Sequence, residues 1–234
     1  MNIFSNIRVL PITANIAAGK STLLERVKKA IGDSDLIMFV PEPTKEWEET
    51  YCADGSNILQ KYYSDPKGWS FKFQLVASRT RTESLERACI TNPKVKVIVV
   101  ERSKNDDRFI FAEKLKDDGF IDEDELMLLD MDRKSSASKL DYAVKNVIHL
   151  KTSVATCLER RLKRKRSGEE GVGIDLLASL LKKEEEYINR LVQERGPNYV
   201  IELDGNLEND TDEYDQMVFK LANYILSIAY KNDQ

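Results

Sequence analysis

The run Ala14-Asn15-Ile16-Ala17-Ala18-Gly19-Lys20-Ser21-Thr22 holds the clearest chemistry in the chain. Its Gly-Lys-Ser end fits the phosphate-loop pattern. There the backbone N–H groups of a small-residue loop and of the following helix point at phosphate oxygens, a lysine neutralises them, and a hydroxyl ligates Mg²⁺. Lys20 and Ser21 suit the last two tasks, Gly19 permits close approach, and Asn15, Ile16, Ala17, Ala18 and Thr22 complete the cradle. Ala14 stands where the pattern has glycine, so its methyl group is expected to strain the turn by about 1 kcal/mol if φ is positive there. A small-residue turn that only starts a helix is the alternative reading.

Acids, guanidiniums and aromatics recur at other places. Pro41-Glu42-Pro43-Thr44-Lys45-Glu46-Trp47 holds a carboxylate between two prolines that restrict its backbone. Glu101-Arg102-Ser103, followed by Asp107-Arg108-Phe109-Ile110-Phe111, sets an acid beside a guanidinium, either for catalysis or as a salt bridge. Gln74, Ala77 and Arg81 fall at i, i+3 and i+7, so one helical face offers an amide, a small residue and a guanidinium to a base edge. On spacing alone, Phe73 and Phe111 read as core aromatics. The run Glu159-Arg160-Arg161-Leu162-Lys163-Arg164-Lys165-Arg166 reads by composition as a nucleic-acid patch, a localisation signal or a solvated helix face.

The elements that must position these residues follow from periodicity. Short β-rich runs lie at Ile7 to Thr13, Leu36 to Val40, Val95 to Val100, Asn146 to Leu150 and Tyr199 to Leu203. Several are nearly continuous in apolar residues, as strands covered on both faces of a parallel sheet should be. Helical spacing spans Gly19 to Ala30, Trp69 to Ala88, Ser153 to Arg164 and Ile174 to Arg195, and a last helix is expected after the polar stretch Asn206 to Asp215. The alternation predicts an α/β fold. The chemical clusters fall after predicted strands, at the sheet edge where such folds place ligands.

Composition narrows the classes. With 36 Lys and Arg against 40 Asp and Glu, a net charge of -4, there is no surplus to coat a phosphate backbone or an anionic membrane, so neither nucleic acid nor membrane is an expected partner. The longest apolar runs fall short of a bilayer span, and the first residues lack the character of a secretion signal or transit peptide. Cys52, Cys89 and Cys157 suit no disulfide framework or zinc site, so a reduced, intracellular setting is expected. His149, in an apolar run, reads as a core histidine.

Together, Asn15 to Thr22, Pro41 to Trp47, Asn57 to Tyr63, Trp69-Ser70-Phe71-Lys72-Phe73-Gln74, Glu101 to Ala112 and Cys157 to Gly171 resemble the deoxynucleoside kinase family, in its deoxycytidine and deoxyguanosine kinase branch. The resemblance spans most of the chain in the family's order. It implies a P-loop kinase fold: a five-stranded parallel sheet flanked by helices, with an arginine-rich lid at about 160–171, as one domain over residues 1–234. It implies ATP and Mg²⁺ as cofactors, a deoxynucleoside acceptor, nucleotide salvage in the cytoplasm, and a homodimer.

Residue by residue, Glu42 matches the family's general base for the 5′-hydroxyl. Arg102 matches its arginine for the reacting oxygen and phosphates, and Glu101 matches its magnesium partner beside Ser21. Lys20 completes the catalytic set. Gln74 matches the amide that bonds the base, Phe73 and Phe111 the rings packed against it, and Trp47 joins the substrate pocket. Tyr63 and Glu169 match the groups for the 3′-hydroxyl, with Glu170 adjacent should the alignment slip. Arg160, Arg164 and Arg166 match the lid's phosphate-facing arginines. Arg81 and Asp107 match the pair of the branch that takes deoxycytidine and purine deoxynucleosides over thymidine. Two other functions stay open: a nucleoside monophosphate kinase, disfavoured by Glu42 where an arginine should meet a charged acceptor, and a non-catalytic nucleotide-binding regulator, motivated by Ala14.

Overall fold

The computed structural model describes residues 6–135, 144–165, 169 and 171–231. Five strands form: β1 Arg8–Thr13, β2 Ile37–Val40, β3 Val97–Glu101, β4 Val147–Lys151 and β5 Val200–Asp204. Each lies within a residue or two of its expected place. They pair in parallel in the order β2-β3-β1-β4-β5.

Alternation along the strands assigns side chains to the two faces. Leu10, Ile12, Val97, Val99, Ile148 and Leu150 pack with helices α1 (Lys20–Ile31) and α10 (Asp212–Tyr230), through Leu23, Val27, Leu221 and Ile225. On the other face, Val9, Ile98 and Val100 meet Leu85, Ala88 and Cys89 of helix α4 (Pro66–Thr91). Val147 there meets Leu180, Ile188 and Leu191 of helix α9 (Ile174–Arg195). His149 lies on the α9 side, 2% exposed, its Nε2 2.8 Å from Glu184 Oε1.

Helix α4 starts three residues before the apolar spacing predicts, because Pro66 fits the first helical position and the Asp65 side chain caps Gly68 N–H. Short helices α2 (Thr44–Glu49) and α3 (Ile58–Ser64) fill the link from β2 to α4, the latter fixed by a reciprocal Asn57–Gln60 capping box. After β3 the chain runs through α5 (Lys104–Asp106), a π-helical segment (Asp107–Ala112) and α6 (Glu113–Asp117) to α7 (Glu123–Ser135). None of these was legible: α5 and α6 are too short and the π-helical segment too irregular for a 3.6 period, while in the 13-residue α7 apolar residues are both buried (Leu126, Leu129) and exposed (Met127, Leu128, Met131). Helix α8 (Val154–Arg164) follows β4, capped by Ser153.

The connection leaving β1 runs to β2 and the one leaving its neighbour β3 runs to β4, in opposite directions across the sheet. The crevice at such a reversal is where α/β sheets hold ligands. Among the described residues no helix is long and apolar enough to cross a membrane.

Candidate active site

The loop between β1 and α1 makes its left-handed turns at Ala17 (φ 58°) and Gly19 (φ 101°). Ala14 does not have positive φ, is 2% exposed, and packs its methyl group into the core with Ala18 and Ile12. The strain expected at Ala14 is therefore absent. Lys20 Nζ curls back onto the carbonyl oxygens of Asn15 (2.7 Å) and Ala14 (3.2 Å). Burial, aided by the Arg102 charge, pushes its pKa down to about 8 against the pull of Glu101, Glu42 and Glu184.

Two cavities open on this loop. One, of about 500 Å³, is walled by Ala17 to Thr22, by Glu159, Arg160, Lys163 and Arg164 of α8, and by Glu208 and Asn209 beyond β5. The other, of about 340 Å³, lies beside the ends of β2 and β3 among α2, α3, α4, α6 and α9. Asn15 lines neither of them and instead holds the loop to α9, donating from Nδ2 to Leu177 O at 2.8 Å. Ala17, Lys20, Ser21, Glu101 and Arg164 wall both, so the cavities meet there. At this junction Ser21 Oγ lies 3.0 and 3.1 Å from the two oxygens of Glu101. Register explains the meeting, since Glu101 pairs with Ile12 at the end of β1 and faces α1.

The second cavity gathers Glu42, Trp47, Tyr63, Phe73, Gln74, Arg81, Arg102, Asp107, Phe111 and Glu169, which are spread over most of the chain. Gln74, Ala77 and Arg81 all reach it from one face of α4. Gln74 is 4% exposed, and its side-chain amide has no hydrogen-bond partner among the described residues. Trp47 and Phe73 meet edge to face at 5.1 Å, and Tyr62 stacks on Phe73 at 4.7 Å, making a rigid aromatic wall. The π-helical segment brings Asp107 and Phe111 to the same cavity, with the Arg102 guanidinium 4.7 Å from the Phe111 ring centroid.

Two guanidiniums converge on Glu42. Its Oε1 accepts from Arg81 Nη2 at 2.5 Å and from Arg102 Nη1 at 2.9 Å. Burial alone would raise the Glu42 pKa, but Arg102, Arg81 and Lys20 together hold the carboxyl well below the usual range. Arg81 also donates from Nε to Asp107 Oδ2 at 2.7 Å and from Nη1 to Glu101 O at 3.0 Å. Burial pushes Asp107 above the usual carboxylate range, its attraction to Arg81 only partly offsetting this. Arg102 itself sits in the left-handed region (φ 62°) at the end of β3, with Nε buried and unpartnered among the described residues. A non-glycine residue there costs about 1–2 kcal/mol, strain of a kind that concentrates at functional sites.

At the end of α8, Arg164 Nη2 grips Glu169 at 2.5 and 2.7 Å, so a residue expected at the donor phosphates and one expected at the sugar are joined in one ion pair. Arg160 walls the first cavity, but its guanidinium donates to backbone carbonyls. Arg166 and Glu170 lie outside the described residues. Sequence reasoning missed Lys114, Leu115 and Asp118, which join Phe111 on the cavity wall at i, i+3, i+4 and i+7. That spacing was there to be read. Lys163, Glu208 and Asn209 on the other side had no such signal.

Comparison with known proteins agrees with this geometry. A family model described as deoxynucleoside kinase matches residues 10–226. A probable deoxycytidine kinase of Fowlpox virus (strain NVSL) is 32% identical over 218 residues, covering 92% of this chain and 87% of the relative. Deoxycytidine kinase of Homo sapiens is 29% identical, covering 96% and 93%. Mitochondrial thymidine kinase 2 of Homo sapiens is 28% identical, covering 89% and 75%. With a parallel sheet, a phosphate loop at its reversal point and a family match over nearly the whole sequence, this chain belongs to the deoxynucleoside kinase family.

Proposed function

We propose that the chain transfers the γ-phosphate of ATP to the 5′-hydroxyl of a deoxynucleoside, the 340 Å³ cavity holding the acceptor and the 500 Å³ cavity the donor. The observation that carries this reading is Glu42, half-buried on the wall of the acceptor cavity and clamped by two arginines. A carboxylate so firmly ionised is a weak base but a well-aimed hydrogen-bond acceptor. In a loose phosphoryl transfer that is sufficient: the 5′-oxygen attacks phosphorus, ADP leaves, and the hydroxyl proton passes to Glu42 as the new P–O bond forms. Arg102, fixed by its backbone at the end of β3 and by its bond to Glu42, stays beside the reacting oxygen.

Ser21 and Glu101 offer hard oxygen donors at the junction and would hold Mg²⁺ together with phosphate oxygens and water. Bound there, the ion would neutralise charge on the transferring group. Lys20 and Arg164, on the wall common to both cavities, face the same charge, and closing the lid would exclude water.

Gln74, Arg81 and Asp107 would read the base, and Tyr63 and Glu169 the 3′-hydroxyl. Deoxycytidine and purine deoxynucleosides are favoured over thymidine, whose carbonyl would face Asp107 where an amino group is wanted. A monophosphate acceptor is disfavoured because Glu42, just past the end of β2, holds the place where an arginine should meet a charged acceptor, and Arg81 and Arg102 beside it already pair with that carboxylate. The chain would act as one domain and as a homodimer, for which exposed Met127, Leu128 and Met131 of α7 supply an apolar face. Its place would be the cytoplasm, where the free Cys52, Cys89 and Cys157 stay reduced.

The test is a phosphotransfer assay with Mg·ATP and the four natural deoxynucleosides, with deoxycytidine monophosphate as control. Turnover of deoxycytidine above thymidine, with none of the monophosphate, is expected. Nucleotide binding without turnover of any acceptor would overturn the reading.

A further inference from the structure

Arg160 projects from α8 into the angle between the phosphate loop and the segment beyond β5. Its Nη1 donates to Ala18 O at 3.0 Å and to Gly205 O at 2.7 Å, and its Nη2 to Leu207 O at 3.0 Å. One planar fork thus ties together two loops more than 180 residues apart in sequence. The segment it holds is pinned elsewhere too. Gly205 N–H donates to Lys151 O at 2.8 Å, and Asn206 Oδ1 accepts from Ser153 N at 2.9 Å and Thr156 Oγ1 at 3.1 Å. A Cβ at position 205 would stand 1.9 Å from Thr152 Oγ1, so only glycine allows this fit. Just beyond, Glu208 and Asn209 form the wall of the donor cavity that lies across from Ala17 to Thr22.

A guanidinium spread over three carbonyls is oriented by their dipoles and has already committed three of its five N–H donors, both of those on Nη1 among them, to the main chain. The phosphates, moreover, already have Lys20 and the loop's N–H groups, whereas among the described residues no other side chain bonds both the 205–209 segment and the phosphate loop. We infer that Arg160 is a positioning residue that latches the 205–209 segment to the phosphate loop, setting the fit of the donor's nucleoside moiety and not the charge at its phosphates. This rests on the proposed donor cavity. A lysine cannot replace the fork, because a single ammonium on a flexible stem does not bridge carbonyls on two loops.

The experiment measures binding of Mg·ATP and of magnesium tripolyphosphate, which lacks base and sugar, by calorimetry on wild type, Arg160→Lys, Arg160→Ala and Asn206→Ala. Both Arg160 variants should lose about tenfold in ATP affinity and less than about twofold in tripolyphosphate affinity. Asn206→Ala, which loosens the same segment from the α8 side, should show the same selective loss, and it carries the test if the Arg160 variants fail to fold. Equal losses for the two ligands, wild-type affinity in Arg160→Lys, or unchanged ATP affinity in Asn206→Ala would each overturn the latch. Because only donor binding is read, the result is separate from the kinase reading, which fails on its own if wild type binds Mg·ATP but phosphorylates no deoxynucleoside.

Discussion

The two cavities are made of different material. The acceptor cavity is built of side chains from many elements, with the Trp47 and Tyr62 rings both packed on Phe73 and a carboxylate shared by two arginines. The donor cavity is built largely on backbone: a loop of small residues, positive φ at Ala17 and Gly19, and a segment held by its carbonyls. A wall of side chains can be retuned one residue at a time. A wall of backbone tolerates changes of side chain but resists any change of chain path.

The sharpest break of that contrast is Glu42→Gln, which should lower turnover by about 10²–10⁴-fold while Mg·ATP affinity holds. Near-normal turnover by the folded variant would remove Glu42 from the proton's path. A smaller effect is expected from Asp107→Ala, which should raise the thymidine-to-deoxycytidine ratio of kcat/KM by about 10–100-fold. Asp107 is the cleaner target than Arg81, since Arg81 also holds Glu42 and Glu101 O, and its loss should depress turnover of every nucleoside. An unchanged ratio would make the Arg81–Asp107 pair a brace between α4 and the π-helical segment.

Tyr63→Phe should narrow the preference for 3′-hydroxyl over 3′-deoxy substrates by about 1–3 kcal/mol, read from paired kcat/KM values. The same preference in variant and wild type would place the 3′ contact elsewhere. Least of all, Ala14→Gly should lower stability to urea by about 0.5–1 kcal/mol with no gain in turnover. Faster turnover would mean that the donor loop is strained at Ala14 after all.

This contrast also governs what was legible beforehand. Strands β1 to β5 announced themselves as apolar runs, Lys20 and Ser21 through a pattern whose spacing is the chemistry, and Glu42 through its flanking prolines together with the family resemblance. The face formed by Gln74, Ala77 and Arg81 was readable because α4 is long and regular. Lys114 and Asp118 were missed although their spacing from Phe111 is helical, because α6 is short and comes after an irregular segment. The carbonyl contacts of Arg160 could not be read at all, since a guanidinium in a basic run looks the same whether it meets phosphate or main chain. Ala14 shows the converse: a departure from pattern looked like strain, yet the buried methyl group simply joins the core.

The π-helical segment has a consequence for how this enzyme can diverge. Its wider turn places Asp107 and Phe111 on one wall while Arg108 turns away to Glu113 and Asp130. A turn of this kind carries about one residue more than an α turn, so deleting a single residue within it would let ordinary helical bonding take up the gap. Lys114, Leu115 and Asp118 on the following helix would keep roughly their orientation, and only the seats of Asp107 and Phe111 relative to each other would shift. The extra residue is thus a local setting of the base-facing wall, one that a descendant of this sequence could change without turning the helix beyond it.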